Sequence, residues 1–438
     1  MHKNPISGFS RLSKIRKMQW VVENFFKDPD LVMNELISYW HPGLQSILDG
    51  FIENSIGNFP IPLGVAPNFK INGKVYAIPM AIEESSVIAA ASAGSKFWFD
   101  RGGFKAEVID SKKIGQVHFK WGGDFKLLAH LFDDIKRKLI EDTKEFTATM
   151  EKRGGGIHSI ELIDFTENIE NLYQIKAEFY TCDSMGANFI NTILEQFAKT
   201  LKEYFIASDS FKNEDKDVQI VMSILSNYTP ESIVHVEVSC HVEELENGKT
   251  IKDGKLFAEK FNTAIEIAKQ DPYRATTHNK GIFNGIDSVI IASGNDFRAV
   301  EACGHTYAAR DGQYRSLSQC EINKGIFRFW LDMPMAIGTV GGLTKTHPMA
   351  KRSLEMLGNP GAEELMKIVA SVGLAQNFSA VKSLVTTGIQ KGHMKLHLTN
   401  IMTQLEATAK EKIKIIEYFK DKTVSYSGVK TILEKLRK

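Results

Sequence analysis

Cysteine is scarce: four residues in 438, and none of them in a CxxC pair. Cys182, Cys240, Cys303 and Cys320 are scattered, which gives no sign of a disulfide framework or a thiolate metal cluster. Reduced thiols in a cytoplasmic protein are the simplest reading. Cys182 reads either as a modifiable thiol or as a small packing residue. No apolar run approaches the roughly 20 residues that span a bilayer, so no membrane association is expected. Lys14, Arg16 and Lys17 have no apolar core after them, unlike a secretory signal. Net charge is only +1, which implies no nucleic acid or other polyanion as partner. No GxGxxG follows any expected strand, so a Rossmann site is not supported. What remains is ordinary for a globular chain of two or three domains: 43% apolar and 24% charged residues.

Hydrophobic periodicity lays out the elements. Residues 1–50 read as helices broken at Asp28-Pro29-Asp30 and His41-Pro42-Gly43. Val87 to Phe97 is alanine-rich and predicts a buried helix after a Glu83-Glu84 corner. Between residues 114 and 222 the pattern is strand, helix, strand, strand, helix, strand. The strands are expected at Gln116–Lys120, Ile157–Phe165, Leu172–Tyr180 and Val218–Met222, with helices from Phe125 and from Asp183. That order is a ferredoxin-like split sheet. Beyond it come a strand at Ile233–Val242, a helix at Leu256–Gln270, a buried strand at Ser288–Ala292, a helix at Phe297–Arg310 and a strand at Phe327–Met333. A glycine-rich turn at Gly338–Gly342 precedes three helical stretches, and the chain from Gly392 on reads as helical and lysine-rich.

Four places carry residues suited to chemistry. In Asp271-Pro272-Tyr273-Arg274-Ala275-Thr276-Thr277-His278-Asn279-Lys280-Gly281, a lysine stands among polar and aromatic residues, and Asp296 follows it in Ser293-Gly294-Asn295-Asp296. A lysine facing a carboxylate keeps its charge and stabilises a developing oxyanion, though a structural ion pair looks the same. Glu83 and Glu84 point to opposite faces of an extended segment, so one can be buried, with a raised pKa suited to a general acid. Asp183-Ser184-Met185-Gly186-Ala187-Asn188 sits where a strand feeds a helix. Asp183 as N-cap and the amides of the first turn would form an anion site or merely a capped helix. His393 and His397 share a helix face, but Met394 stands where the zinc-protease pattern needs glutamate, so no metal is expected. Arg274 offers a fork for a carboxylate, and Asn284 reads as a polar contact or a turn residue.

Taken together, these blocks resemble the hydroxymethylglutaryl-CoA reductase family, in its bacterial, soluble class II form. Further blocks agree in the family's order: Glu53-Asn54-Ser55-Ile56-Gly57, Pro62-Leu63-Gly64-Val65-Ala66-Pro67-Asn68-Phe69, Ile78-Pro79-Met80-Ala81-Ile82-Glu83-Glu84-Ser85-Ser86, Gly373-Leu374-Ala375-Gln376-Asn377 and Gly392-His393-Met394. The likeness runs from about residue 50 to 400. It departs at Ser85, where the family usually has proline. The resemblance implies catalytic roles for Glu84, Lys280, Asp296 and His393, with His393 as proton donor to the departing CoA thiolate. It implies substrate contacts at Ser86, Arg274, Asn284, Gln376 and Asn377. It makes Asp183, Met185, Gly186, Ala187 and Asn188 the nicotinamide-dinucleotide site, for NADPH or NADH. Glu53–Gly57 matches the family's dimer motif, so a homodimer or an assembly of dimers is expected, with the active site between subunits.

The expected fold class is α+β: a large mixed α/β domain (1–110 and 223–387) for substrate and dimerisation, an inserted ferredoxin-like dinucleotide-binding domain (111–222), and a helical C-terminal flap (388–438). The expected reaction is the two-step reduction of hydroxymethylglutaryl-CoA to mevalonate and CoA, or its reverse. A non-redox acyl-CoA lyase or hydrolase on the same residues is the alternative. Nothing in the residues chooses between NADH and NADPH; Lys152 and Arg153 beside the glycine triplet are candidates for reading a 2′-phosphate.

Overall fold

The computed structural model describes residues 6–386 and 398–437 apart from residues 421 and 423. Three short helices open the chain: α1 (Lys14–Phe25), α2 (Pro29–Ser38) and α3 (Gln45–Asp49). The expected breaks fall between them for local reasons. Asp28 caps α2 by accepting from Leu31 N, and Pro29 occupies a first-turn position that needs no amide. Lys14 Nζ lies 2.6 Å from Asp49 and ties α1 to α3.

An antiparallel hairpin follows, β1 (Leu63–Ile71) and β2 (Lys74–Ala81), turning at Asn72-Gly73. The buried helix α4 (Ser85–Phe99) and strand β3 (Lys105–Val108) complete this part. The chain then builds a unit with its own core from β4 (Lys113–Lys120), α5 (Phe125–Glu151), β5 (Gly156–Asp164), β6 (Leu172–Tyr180), α6 (Ala187–Ala207) and β7 (Gln219–Ser226). Its strands lie in the antiparallel order β5-β6-β4-β7, the split arrangement that the sequence pattern predicts. Phe119, Ile175, Phe179, Phe197 and Phe205 fill the space between this sheet and its two helices.

The chain returns through β8 (Ile233–His241), α7 (Gly254–Gln270), α8 (Pro272–Ala292), α9 (Phe297–Ala308), β9 (Ser318–Asn323) and β10 (Ile326–Pro334). Helices α10 (Gly342–Thr346), α11 (Pro348–Met356) and α12 (Ala362–Val385) follow. A second antiparallel sheet, β3-β8-β10-β9, joins strands from both sides of the 113–226 insertion. Phe378 of α12 sits where Phe97, Trp98, Phe261 and Phe329 converge, the centre of the larger core. Helices α13 (Ala409–Tyr418) and α14 (Tyr426–Arg437) share a third small cluster around Ile415, Val429 and Leu433.

Three expectations need correction. Ser288–Ala292 is the last turn of α8 and not a strand. It is apolar on nearly every side, and a short apolar run carries no periodicity to separate a buried helix from a strand. Strand β9 was not anticipated. Helix α12 is long and apolar enough to cross a membrane, contrary to the expectation that no run approaches that length; here it lies buried against α4, α7, α8 and β8.

The crossing of α4 and α12 depends on Gly94, because a Cβ there would lie 2.4 Å from the Ala375 carbonyl oxygen. Gly281, inside α8, has no neighbour within 4 Å of the same position. Gly94→Ala is expected to destabilise the fold by about 1–3 kcal/mol through overpacking, and Gly281→Ala to stabilise it by about 0.5–1 kcal/mol through helix propensity. Urea unfolding of both variants tests the pair, and equal effects would contradict the packing described.

Candidate active site

Two elements place the central pair. The chain leaves β2 through a bend at Glu83, and Glu84 takes the N-cap position of α4 in extended conformation, with φ −94° and ψ 115°. Ser85 starts that helix without a proline. Glu83 is exposed and Glu84 half-buried, so neither is the buried acid that the alternation suggested. Ser86 Oγ donates to Glu84 Oε1, which orients the carboxylate. The other oxygen, Oε2, lies 3.7 Å from Lys280 Nζ.

Lys280 comes from the middle of α8. Asp271 caps that helix by accepting from Tyr273 N at 2.9 Å, and Pro272 begins it. Helical spacing then sets Lys280, Asn284 and Asp287 along one stripe. The side chains of Lys280 and Glu84 are 63% and 40% exposed. An ion pair this open contributes at most about 1 kcal/mol to stability. It is better described as two polar groups held ready at a surface than as a brace. Arg274, six residues before Lys280 in the same helix, is half-buried. Desolvation pulls its guanidinium below the ordinary value, and among the described residues no carboxylate pairs with it.

Asp296 does not join this pair within the chain. Helix α8 runs unbroken from Lys280 to Ala292, roughly 18 Å of rise at about 1.5 Å per residue. Asp296 lies beyond that end, where it caps α9 by accepting from Arg298 N and Ala299 N. Burial pushes its carboxyl up, but the Arg298 side chain at 2.9 Å and the two amides outweigh this and hold it below the usual range.

Gln376 and Asn377 lie behind α8 in the core, 5% and 1% exposed. Asn377 Oδ1 accepts from Ser318 Oγ at 2.8 Å, and Ser318 Oγ lies 2.7 Å from His278 Nε2. Asn377 is therefore a buried partner of the helix carrying Lys280, not an open contact. Gln376 Oε1 is buried with no hydrogen-bond partner. Sequence reasoning missed His278 and Ser318; the signal for His278 was its place two residues before Lys280, on the opposite face. Burial, and then the Arg274 charge, push the His278 imidazole down to about 3, so it is neutral. His393 and His397 lie outside the described residues.

The second expected site is the corner between β6 and α6. Asp183 does not cap α6, as the sequence suggested. Gly186 takes the N-cap position in left-handed conformation (φ 91°), and no side chain caps the helix. The chain reverses through Thr181–Gly186 before the helix starts, which turns the Asp183 side chain away from it. Its Oδ1 instead accepts from Ala362 N at 2.7 Å, the first residue of α12, and its carbonyl accepts from Thr339 N at 2.8 Å. Met185 is half-buried beneath the corner; Ala187 and Asn188 begin the helix, with Asn188 exposed. The uncapped first-turn amides fit an anionic group such as a pyrophosphate. Among the described residues no group of three or more His, Cys, Asp or Glu side chains is placed to hold a metal ion.

A carboxyl pair that the sequence did not reveal lies further along the Lys280 stripe. Burial, and then Glu301 of α9, raise Asp287 to about 8, and its Oδ1 has no hydrogen-bond partner. The folded-state pKa is raised, so wild type loses stability as pH climbs from the ordinary carboxylate range towards 8: the unfolded chain ionises first. Asp287→Asn is therefore expected to be near-neutral at pH 4 and stabilising by about 1–3 kcal/mol at pH 8. Unfolding at both pH values checks it, and a pH-independent difference would refute the raised carboxyl.

Comparison with known proteins bears on all of these residues. Residues 16–398 match the family described as hydroxymethylglutaryl-coenzyme A reductase. A 3-hydroxy-3-methylglutaryl-coenzyme A reductase of Archaeoglobus fulgidus is 36% identical, over 99% of this chain and 94% of the relative. A probable enzyme of the same name from Borreliella burgdorferi is 32% identical, over 96% and 93%. Among solved structures, the class II 3-hydroxy-3-methylglutaryl-CoA reductase of Streptococcus pneumoniae, bound to NADPH in open conformations, superposes with a TM-score of 0.71 at 36% identity, covering 87% of this chain and all (100%) of that one. Another structure of the S. pneumoniae reductase gives a TM-score of 0.72 at 35% identity, over 98% of this chain and 100% of that chain.

Proposed function

Because the chain belongs to the hydroxymethylglutaryl-coenzyme A reductase family, we propose that it reduces 3-hydroxy-3-methylglutaryl-CoA to mevalonate and CoA with a reduced nicotinamide dinucleotide. NADPH is the cofactor bound in the S. pneumoniae relative and the one we assign here. The observation that carries the reading is the open Glu84–Lys280 pair at 3.7 Å, since its position answers no structural need.

Two molecules of the dinucleotide, bound in turn, would each supply one of the two hydrides that take a thioester to an alcohol. We assign the dinucleotide to the 113–226 unit, its pyrophosphate at the first turn of α6, with Ala187 and Asn188 presenting amides and Gly186 permitting close approach. In this assignment Met185 packs under the corner, and Asp183 serves by fixing the corner to α12. The protein's own groups do the rest. Lys280 holds the reacting carbonyl oxygen and stabilises the charge that develops there. Glu84, oriented by Ser86, passes a proton to that oxygen. Arg274 receives the substrate carboxylate, which explains a guanidinium left without a partner. Asn284, one turn beyond Lys280, and Gln376, with its unpartnered oxygen, hydrogen-bond the substrate from the helix and from the floor. Asn377 acts indirectly, through Ser318 and His278. His393 protonates the departing thiolate from the C-terminal segment, whose helices form a flap that admits fresh cofactor between the two reductions.

Asp296 enters from a second copy of the chain. The length of α8 supports this, and so does an apolar groove beside its far end. Trp40, Leu48, Phe59, Ile61 and Met349 line it together with Ile291 and Ala292, and Phe59 is 92% exposed. Ser55 and Gly57 of the expected dimer motif border the same groove. An exposed apolar surface of this kind suits a subunit interface. The four free cysteines suit a cytoplasmic homodimer.

Loss of reduced-nicotinamide absorbance on adding hydroxymethylglutaryl-CoA tests the activity; a thioester consumed without it would favour a lyase or hydrolase. The shared site has its own test. Lys280→Ala and Asp296→Ala are each expected to lose most of the rate, roughly a hundredfold or more. Co-assembled one to one, they should recover about a quarter of wild-type activity, because half the dimers then hold one intact site of two. No recovery would place both residues in one chain's site. His393→Gln should reduce mevaldehyde far better than the thioester, since the aldehyde expels no thiolate. Equal loss of both rates would give the histidine another role.

A further inference from the structure

Lys113 is the first residue of β4 and is 4% exposed. Its Nζ donates to Thr181 Oγ1 at 2.6 Å and to the Ser184 carbonyl at 3.3 Å. Both acceptors belong to the turn between β6 and α6. Thr181 Oγ1 also donates to the Ser184 carbonyl at 2.6 Å, and Gly186 N donates to Ser184 Oγ at 3.1 Å. The ammonium is thus the inner anchor of the turn that ends in the left-handed Gly186. Among the described residues no carboxylate lies within ion-pairing distance of it. A buried cation with only neutral acceptors is costly, and an alkyl chain would fill the same space at less cost. Its position, directly behind an uncapped helix N-terminus, is what distinguishes it.

We propose that Lys113 is a positioning residue for the dinucleotide: it holds the Thr181–Gly186 corner in its receptive shape and adds a fixed positive charge behind the first turn of α6. The inference rests on the reading of that corner as the pyrophosphate site. Two effects then act together. The two hydrogen bonds fix the turn, and the charge is weakly screened because protein surrounds it. A dianionic pyrophosphate at the amides compensates a cation that has no ion-pair partner among the described residues, Asp183 acting on it only at longer range. This division of work also frees Asp183 to bind α12.

The surroundings keep the electrostatics simple. From the turn after β6 come Cys182 and Asp183, whose charges bear on the ammonium. From β7, the loop that follows it, α9 and residue 336 come Ser226, Asn227, Thr229, Ala299 and Ala336, all uncharged. Burial lowers the Lys113 amine to about 8, so its charge is present at neutral pH and lost just above it.

The test uses the full-length enzyme and NADPH, titrated by nicotinamide fluorescence between pH 7 and 9, where the charge of the dinucleotide is constant. Wild type should bind most tightly below pH 8 and progressively less tightly above it. Lys113→Met, which keeps the length and removes the charge, should weaken binding about tenfold at pH 7 and flatten the pH profile. At saturating NADPH its kcat, and its KM for hydroxymethylglutaryl-CoA, should stay within about twofold of wild type. A flat wild-type profile would overturn the proposal without any variant. So would wild-type affinity in Lys113→Met, or an equal loss of kcat and of both affinities, which would mean general loosening. Asn188→Asp separates the two layers of the argument. An acid in the first turn suits the helix dipole but repels a pyrophosphate. If Asn188→Asp binds NADPH as wild type does, the corner is not the site and both readings fall. If it weakens binding while Lys113→Met does not, only the role of Lys113 fails.

Discussion

Helix α8 is the constraint on which the rest of the site depends. Its 21 residues run without a break between an aspartate-proline start and Ser293. It is packed against β2, α4, α7, α9, α11 and α12. A helix clamped on so many sides cannot bend to bring its ends together. Lys280 and Asn284 are therefore fixed relative to Glu84, while Asp296, just past the far end of the helix, is held away from Lys280 by roughly 18 Å of helical rise. The chain gains a rigid platform for Lys280 and Asn284. The same rigidity keeps Asp296 apart from Lys280 within one chain, which is the geometric basis for proposing that it is supplied by a second copy.

The polar groups around α8 divide by exposure into two kinds. On the open face lie Lys280, Glu84 and Arg274, with the 3.7 Å Lys280–Glu84 pair the sole ion pair they make among the described residues. On the buried face, His278, Ser318 and Asn377 are linked by hydrogen bonds, and desolvation keeps the imidazole neutral. A charged histidine there would bring a second cation near Arg274 in a dry environment. The neutral network instead fixes the rotation of α8 about its axis, and so the direction in which Lys280 points. His278 Nδ1 is buried without a partner among the described residues, so it is the bonds through Nε2, Ser318 and Asn377 that tie α8 to β9 and α12.

Much of this was legible in the sequence, and the gaps have identifiable causes. The 113–226 unit could be read because its strands alternate and its helices carry apolar stripes, which are local properties. Glu84 and Lys280 were found as a resemblance of ordered blocks, and their meeting at 3.7 Å is a tertiary fact that no spacing contains. Lys280 and Asp296 do not meet within one chain, and sixteen residues of separation says nothing of that until the conformation between them is known. Read as loop and strand, the segment folds back on itself; read as helix, it holds the two apart. The source of the error was Ser288–Ala292, a short apolar run that helix and strand share. Asp183 failed differently. An acid before a helix is usually its cap, but here a left-handed glycine intervenes and hands the carboxylate to another helix.

That transfer changes what kind of site the corner is. The described polar ties from the corner to the large core run through Asp183: one from its carboxylate to Ala362, and those from Thr339 and Val340 to its carbonyl. Each such bond is worth about 1 kcal/mol, little for contact between two separately packed cores. The turn that precedes α6 therefore carries directional bonds from the small unit to the large one, beside the apolar contact of Met185, Ile190 and Leu225 with Ala299 and Ala336. An anion at the first turn of α6 would lie within a few residues of that attachment. A ligand at such a point interacts with the geometry of the junction as well as with the helix. The corner cannot be understood as the property of the split sheet alone: its inner anchor, Lys113, belongs to the sheet, and its outer anchor, Ala362, belongs to the buried helix α12 that forms the floor behind Lys280.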